Sequence, residues 1–588
     1  MLHPKLNIIF NDGVDSVTYL RIHYVMASLQ PIRTKGRTYW RIVESRRVDG
    51  KPRPVPILYI GTADALLEKL LEGGASGPLR IQSFEHGSVA ALKAAADRLG
   101  LADLIDQQVP GQSRASLSVG QTLVLAALNR ACHPCSKRAF RDWAGSTSLA
   151  RLFPEADLDS LSSQVFWDQM DTLSEEALAR IETELVRATL AALGVTLDTL
   201  FFDTTNFFTY IDSTNDRTQL PRRGHSKQHR TDLRQVGLGL LVSREGQLPL
   251  LSMVYPGNEN DVTCFPKALQ LLRQRLLALG LPLEQLTIVF DRGNNSHDNF
   301  KLVDEGPNGY VAALSPASVA DLRDLSTSSY RILSEGMLAG LPVYRTRRVV
   351  WGAERTILLF ISQELLEAQK RGLNQQLAKR IQELEAWREQ LAKPKSGPKD
   401  AAKAVAKYRG GQYLKDFLQV AFDSEKKGSE RLSWSIDEQA KAAIEIHFGK
   451  RVLITDRHDW TDEEILSAYR GQSQAEASFR QLKDDDHLAL RPQFHWTDQK
   501  IRVHAFICLA ALLLARSVEH QARQHGWKGS LSGLLDRLAG IRLAMVLQPT
   551  KGRPRCTWQL EETDPDMLDL FAKLVPPSAA VCYTPEQA

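Results

Sequence analysis

Between residues 38 and 62 apolar and polar positions alternate, in TYWRIVESRR and PVPILYIG, with a turn-like DGKP between them. Alternation of period two marks a half-buried strand, so this stretch predicts a small sheet. From about 86 to 195 the period lengthens. GQTLVLAALNRA, SKRAFRDWAGST and SEEALARIETELVRATLAAL carry apolar residues at i, i+3 and i+4, which predicts helices. Ser174 before Glu175 and Glu176 offers an N-terminal cap with two acids on the helix dipole. Such a helical region fits a DNA-binding helix or plain packing equally well.

From 196 the pattern turns to strand. LDTLFFDTTNFF is a short apolar run, and RQVGLGLLVS and LPLLSMVYPG follow it, joined at REGQ. FPKALQLLRQRLLALG reads as an amphipathic helix, then QLTIVFDRG and NGYVAALSP as two more buried strands. Three strands, a helix, a strand and a strand predict an α/β protein with a mixed sheet under helical cover. The segment 319 to 455 reads as a β-rich and helical insertion. Its long charged helix, 364 to 392, sets Leu366, Leu373, Leu377, Ile381, Leu384, Trp387 and Leu391 on one near-heptad stripe, which predicts a helical hairpin or a short coiled coil. Helices return with TDEEILSAYRGQSQAEASFRQLK and with the apolar run after 500. The expected organisation is an upstream extension at 1–25, with Met26 the natural start, and a basic β region at 26–85. A helical domain at 86–195 and a core made of 196–318 and 456–550 follow, interrupted by the insertion 319–455. A weakly patterned tail occupies 551–588.

A chain of 588 residues is longer than one hydrophobic core usually serves. AFICLAALLLA (505–515), bounded by His504 and Arg516, reads as a buried core helix, too short to span a membrane. No signal-peptide pattern opens the chain, so it is expected inside the cell. Six cysteines in so long a chain make no disulfide framework. Cys132 and Cys135 of ACHPCSK read as two helix-face cysteines, since no second half of a zinc site accompanies them. Net charge is only +5, but it is clustered. Residues 31–53 carry eight Lys or Arg around Tyr39 and Trp40, and 221–234 carries Arg222, Arg223, Lys227, Arg230 and Arg234. Basic clusters with interleaved aromatics suit a phosphate backbone.

Two buried strands each end in an acid, FFD at Asp203 and VFD at Asp291, and a third acid, Glu476, stands among basic residues on a helix, in YRGQSQAEASFRQLK (469–483). Ligands of open α/β sheets bind beyond the carboxyl ends of the strands. Carboxylates gathered there repel one another. A hard divalent cation, Mg²⁺ or Mn²⁺, offsets that repulsion. Two such ions can drive phosphoryl transfer on a nucleic acid.

The ordered set resembles the DDE transposases of bacterial insertion sequences, in the branch with a Tyr-x2-Arg-x3-Glu-x6-Lys signature. Tyr469, Gln472, Glu476 and Lys483 fall at its four positions, with Gln in place of Arg as in one subgroup. GHSKQHRTDLRQVGLGLLV, YPGNENDVTCF, VFDRGNNSHDN and FHWTDQKIRVHAFICLAALLLA are similar to the blocks that follow or surround the three acids, over roughly 26 to 550. The resemblance implies an RNase H-like core with a large insertion before the glutamate helix. It implies that Asp203, Asp291 and Glu476 are catalytic and hold Mg²⁺ or Mn²⁺. Tyr469, Gln472, Arg480, Lys483, Lys227 and Arg230 are then expected to contact DNA phosphates. Tyr469 and Lys483 each stand two helical turns from Glu476. The partners implied are double-stranded DNA, as terminal inverted repeats and target, and a second copy in a homodimeric synaptic complex, with no membrane. The place implied is the bacterial cytoplasm, on the nucleoid when DNA is bound. Asn258, Asn260 and Asp261 read as turn formers in preference to groups supporting the site, and for His297 and Asn299 local capping and catalysis fit equally well. A decayed or non-mobile DNA-binding nuclease relative, and a metal-dependent α/β hydrolase of other substrate, are the alternatives.

Overall fold

The computed structural model describes residues 27–34, 37–48, 51–65, 80–109, 117–212, 214–224, 230, 232–393, 398, 400–491, 493–548 and 555–576. The extension expected at 1–25 lies outside them. Contacts divide the chain into a small unit, which contains the first sheet, and a large unit centred on 83–544 and 559–584.

In the small unit, β1 (Ala27–Thr34), β2 (Arg37–Val48) and β3 (Lys51–Gly61) form an antiparallel meander. Ile32 stands opposite Tyr39, and Arg41 opposite both Gln30 and Tyr59. The alternation in TYWRIVESRR is thus a sheet pattern, as its period indicates.

The large unit begins within β4 (Arg80–Glu85), at Ser83, and continues in a set of helices. Ser118 and Gln121 form a capping box on the helix Val119–Cys132, and Ser174 caps Glu175–Leu193, each satisfying N–H groups that a helix start leaves free. Cys132 is buried on its helix, whereas Cys135 lies past the helix end. The helical region shares one apolar core with the sheet that follows it. The long helix Asp498–Gln524 runs through that core. By length and composition it could cross a membrane, but 94% of its apolar stretch is buried within the protein.

The central sheet has nine strands in the order β10-β11-β12-β15-β9-β8-β5-β6-β7. They are β5 (Thr199–Thr209), β6 (Arg234–Ser243), β7 (Pro249–Pro256), β8 (Thr287–Phe290), β9 (Gly309–Leu314), β10 (Arg331–Ile332), β11 (Pro342–Val350), β12 (Ala353–Ile361) and β15 (Lys450–Thr455). Strands β5, β8 and β9 run parallel and the rest antiparallel. β8 and β9 are buried at every residue, which is why they read as unbroken apolar runs. The sheet is therefore mixed, with helices packed on it.

Two sequence expectations are corrected here. Strands β10 to β12 and β15 belong to the central sheet, so 319 to 455 is not set apart as a block. Only residues between β12 and β15 build a separate core, around Leu373, Leu377, Leu384, Trp387 and Leu391 of the helix Gln363–Leu391. That stripe packs on the helix Ala401–Arg409 and on the hairpin of β13 (Leu418–Phe422) and β14 (Leu432–Ile436), with Trp387 stacked on Tyr408 and Phe422. It is covered from within the chain, so among the described residues the hairpin alternative fits and the coiled-coil alternative does not. In the tail, the helix Pro565–Leu574 buries Met567, Leu570, Phe571 and Leu574 in the main core.

Candidate functional site

The site starts from a register. β5 and β8 are parallel neighbours, with Phe202 opposite Phe290. Asp203 and Asp291 each come one residue later, so the strand pairing delivers two acids side by side at one level of the sheet. The strands then part company. β8 stops, and Asp291 leads into a 3₁₀ turn, Arg292–Asn294, closed by the Asn294 N–H on the Asp291 carbonyl at 3.1 Å. β5 continues to Thr209 because β6 stays paired with it, Asp203 facing Leu240. Asp203 is thus mid-strand rather than at a strand end as its sequence suggests. Its Oδ1 accepts the Thr204 N–H at 2.8 Å. The Thr204 hydroxyl, on the other face, donates to Asp261 at 2.6 Å. Asn260 caps the helix that Asp261 opens, a structural role for both.

The third acid comes from a jointed pair of helices. Thr461 and Glu464 form a capping box on Asp462–Arg470. Buried Asp462 is fixed by Arg345 at 3.0 Å and by Arg331. The second helix, Ser473–Gln481, carries Glu476 and buries Ala475, Ser478 and Phe479. Between them the chain tightens, the Gln472 N–H bonding to Tyr469 at 3.1 Å. Gly471 sits there against the ring of Phe201. A single straight helix carrying Tyr469, Glu476 and Lys483 two turns apart is therefore not what forms. The helix breaks at Gly471 and Gln472 and ends at Gln481, and Lys483 lies beyond it.

Asp203, Asp291 and Glu476 nevertheless line one open cavity of about 670 Å³, together with Tyr469 and Gln472. It lies beyond the carboxyl end of β8 and beside the middle of β5, and the carboxyl edge is where open α/β sheets bind ligands. Burial, and next the carboxylate of Asp291, push the Tyr469 hydroxyl above its ordinary range, while a hydrogen bond with Arg451 works the other way. Gln472 is buried, and its Oε1 has no protein partner. Arg470 adds a cation from the helix joint.

Other expected contacts sit elsewhere. Lys483 donates to the Thr205 hydroxyl at 2.6 Å and lies over the Phe207 ring, so it braces β5 instead of lining the cavity. Arg480 is exposed in the last turn of the Glu476 helix, outside the cavity lining. Arg230 pairs with Asp232 at 2.7 Å, near the far end of β5. Lys227 lies outside the described residues. Conversely Ser362, Glu364 and Arg451 line the cavity and were not singled out in the sequence. They come from the ends of β12 and β15, and only the pairing of β15 with β9 and β12 brings them in.

Four carboxylates line the cavity, Glu364 beside Asp203, Asp291 and Glu476, and they are a donor set of hard oxygens, the chemistry that Mg²⁺ and Mn²⁺ take. Among the described residues no set of three or more His, Cys, Asp or Glu side chains stands close enough to hold a metal ion. The acids share the cavity without closing on a point.

A family model described as the transposase DDE domain matches residues 208–514 of the 588. A piggyBac transposase, solved by cryo-electron microscopy in a synaptic complex with hairpin DNA, aligns with a TM-score of 0.35 and 9% identity, over 77% of this chain and 78% of that one. No curated protein sequence matches the chain.

Proposed function

The chain belongs to the family of the transposase DDE domain, and from that premise we propose that it cleaves and joins the DNA ends of a bacterial insertion sequence. The observation that carries this reading is the convergence of Asp203, Asp291 and Glu476 on one cavity beyond the carboxyl end of β8. The core is then RNase H-like, with the segment between β12 and β15 inserted ahead of the glutamate helix. Asp203, Asp291 and Glu476 are the groups that would hold Mg²⁺ or Mn²⁺, and ions bound there would supply activation of the attacking oxygen and charge stabilisation of the leaving oxygen of a phosphodiester. Arg451, Arg470 and the Tyr469 hydroxyl stand on the same cavity and position the phosphate. Gln472 contributes an amide where a guanidinium is usual for the signature. Arg480 and Arg230 lie farther along the DNA path, Lys227 is expected to contact DNA phosphate, and Lys483 acts by holding β5 in place. The substrate is double-stranded DNA carrying terminal inverted repeats, bound by two protomers inside the bacterial cell.

The test is cleavage of a DNA fragment carrying the element's own ends, with Mg²⁺ and with EDTA. Nicking or strand transfer is expected only with Mg²⁺. It is expected to vanish in Asp203→Ala, Asp291→Ala and Glu476→Ala while DNA binding persists. Cleavage that survives all three substitutions overturns the assignment, and binding without cleavage by the unaltered protein favours a decayed relative.

A further inference from the structure

Residues 493–496, between the Glu476 helix and the long core helix, alternate in burial as a strand does. Gln493 and His495 are buried, whereas Phe494 is 52% and Trp496 is 62% exposed. The two aromatics therefore share the outward side. The segment is fastened from behind. The Tyr210 N–H donates to the Gln493 carbonyl at 3.0 Å, and the Asn215 side chain to the Trp496 carbonyl at 3.2 Å. His495 stacks on buried His504 with centroids 4.5 Å apart and meets the Lys137 amine at 3.2 Å. Tyr210, itself 49% exposed, sets its ring 5.5 Å from that of Phe494. Single exposed apolar residues need no explanation, but a cluster of large ones on a supported segment does.

Guanidinium groups stand around these aromatics, among the carboxylates of Asp212, Asp216, Asp232 and Asp498. Arg230 lies against the Phe208 ring at 5.9 Å, two residues before Tyr210. Arg234 donates to the Asn215 carbonyl at 3.1 Å, and Arg217 is exposed on the same loop. Aromatic faces beside guanidinium groups are the composition of a single-strand nucleic-acid site, where bases stack and phosphates pair. The bases of an intact duplex keep their faces covered; unpaired ones do not. Tyr210 follows the last residue of β5, which carries Asp203 seven residues earlier, a separation of about 23 Å at strand rise. That is about seven nucleotides at the rise of a duplex, and fewer where an unpaired strand is extended.

We infer that Tyr210, Phe494 and Trp496 form a stacking platform for unpaired bases of the DNA strand whose phosphodiester lies in the carboxylate cavity. The inference rests on the transposase reading and goes beyond it by naming where, and by what chemistry, a strand is held away from the cavity.

The test uses the full chain in EDTA, so that nothing is cleaved, and fluorescence anisotropy with three labelled probes. These are oligothymidine, a blunt duplex and the same duplex with a thymidine overhang. The unaltered protein is expected to prefer the overhang. Phe494→Ala and Trp496→Ala are each expected to weaken overhang binding about ten-fold. Blunt-duplex affinity and the salt dependence should not move, since no charge is removed. Trp496→Phe should keep most of the preference and Trp496→Leu should lose it, because stacking needs a ring and not merely apolar area. Melting temperatures taken alongside show that the variants are folded. Overhang preference retained by the alanine variants overturns the inference, and so does Leu serving as well as Phe. Sedimentation showing that the alanine variants break a dimer while overhang affinity is kept assigns the platform to a second copy instead. If the unaltered protein binds no DNA even at low ionic strength, the transposase reading itself falls. If it binds DNA and the variants bind identically, only the platform falls.

Discussion

Gly471 rests on the ring of Phe201, two positions before Asp203 and on the same face of β5. A Cβ at Gly471 would run into the ring carbons Cζ and Cε1 of Phe201. Phe201 is fully buried and has nowhere to go. The glycine therefore sets how closely the helix bearing Glu476 approaches the strand bearing Asp203. Gly471→Ala is expected to lift that helix while leaving the fold in place. Misplacement on the order of 1 Å can cost roughly a hundred-fold in rate. The expected outcome is loss of cleavage with DNA affinity kept, read by a nicking assay and anisotropy on one preparation. Normal cleavage by the alanine variant would falsify the idea that this contact sets the carboxylate geometry.

Arg451 enters the cavity from β15 and bonds to Tyr469, not to an acid, among the described ion pairs. A guanidinium held by a phenol keeps its charge available to an anion. Arg451→Gln should weaken binding of the DNA ends uniformly across sequences. The slope of log K against log salt should become shallower by about one. Tyr469→Phe, which removes no charge, should leave the slope unchanged. Titrations at several salt concentrations decide this, and an unaltered slope in Arg451→Gln shows that Arg451 does not contact phosphate.

The acids were legible because local signals mark them. FFD and VFD are buried strands broken by a charge, and Glu476 is isolated among cations. What was not legible depends on pairing. The apolar run of β12 shows that it is buried, but not that it would pair with β15 and carry Ser362 and Glu364 to the cavity. Lys483 looked like a helix-face cation because Leu482 extends the helical apolar pattern past Gln481; its bond to Thr205 follows from tertiary packing alone. The stripe on Gln363–Leu391 was readable as apolar, yet its period cannot say whether a second chain or a local hairpin covers it.

That hairpin makes a local prediction. Trp387 stacks on Tyr408 with centroids 4.9 Å apart and on Phe422 at 5.7 Å, in a core separate from the main one. Trp387→Ala should cost about 3–5 kcal/mol, and the loss should stay within that core. Limited proteolysis is expected to cut between 363 and 449 while hydrogen exchange in β5 and β8 stays protected. Equal loss of protection in both regions would show a single cooperative core instead.

His86 gives the fold a pH dependence of known sign. It is fully buried, its Nδ1 lies 2.8 Å from the Ser148 hydroxyl, and its Nε2 has no partner. Burial, and then the charge of Arg151, lower its pKa from 6.5 to about 4. Burial lowers His495 and His504 in the same direction. Below 6.5 the unfolded chain takes up a proton that the folded chain refuses. The contribution of His86 is therefore full above pH 6.5 and is lost as pH falls toward 4, at up to about 1.4 kcal/mol per pH unit. Comparing His86→Asn with the unaltered protein isolates this group from the other histidines and the carboxylates. The variant is expected to be less stable at pH 7, since it gives up a buried ring, and the gap between the two should narrow from pH 6.5 to 4. Urea midpoints at half-unit steps measure it. A gap that stays constant across that range means that His86 takes up its proton in the folded protein as readily as in the unfolded chain.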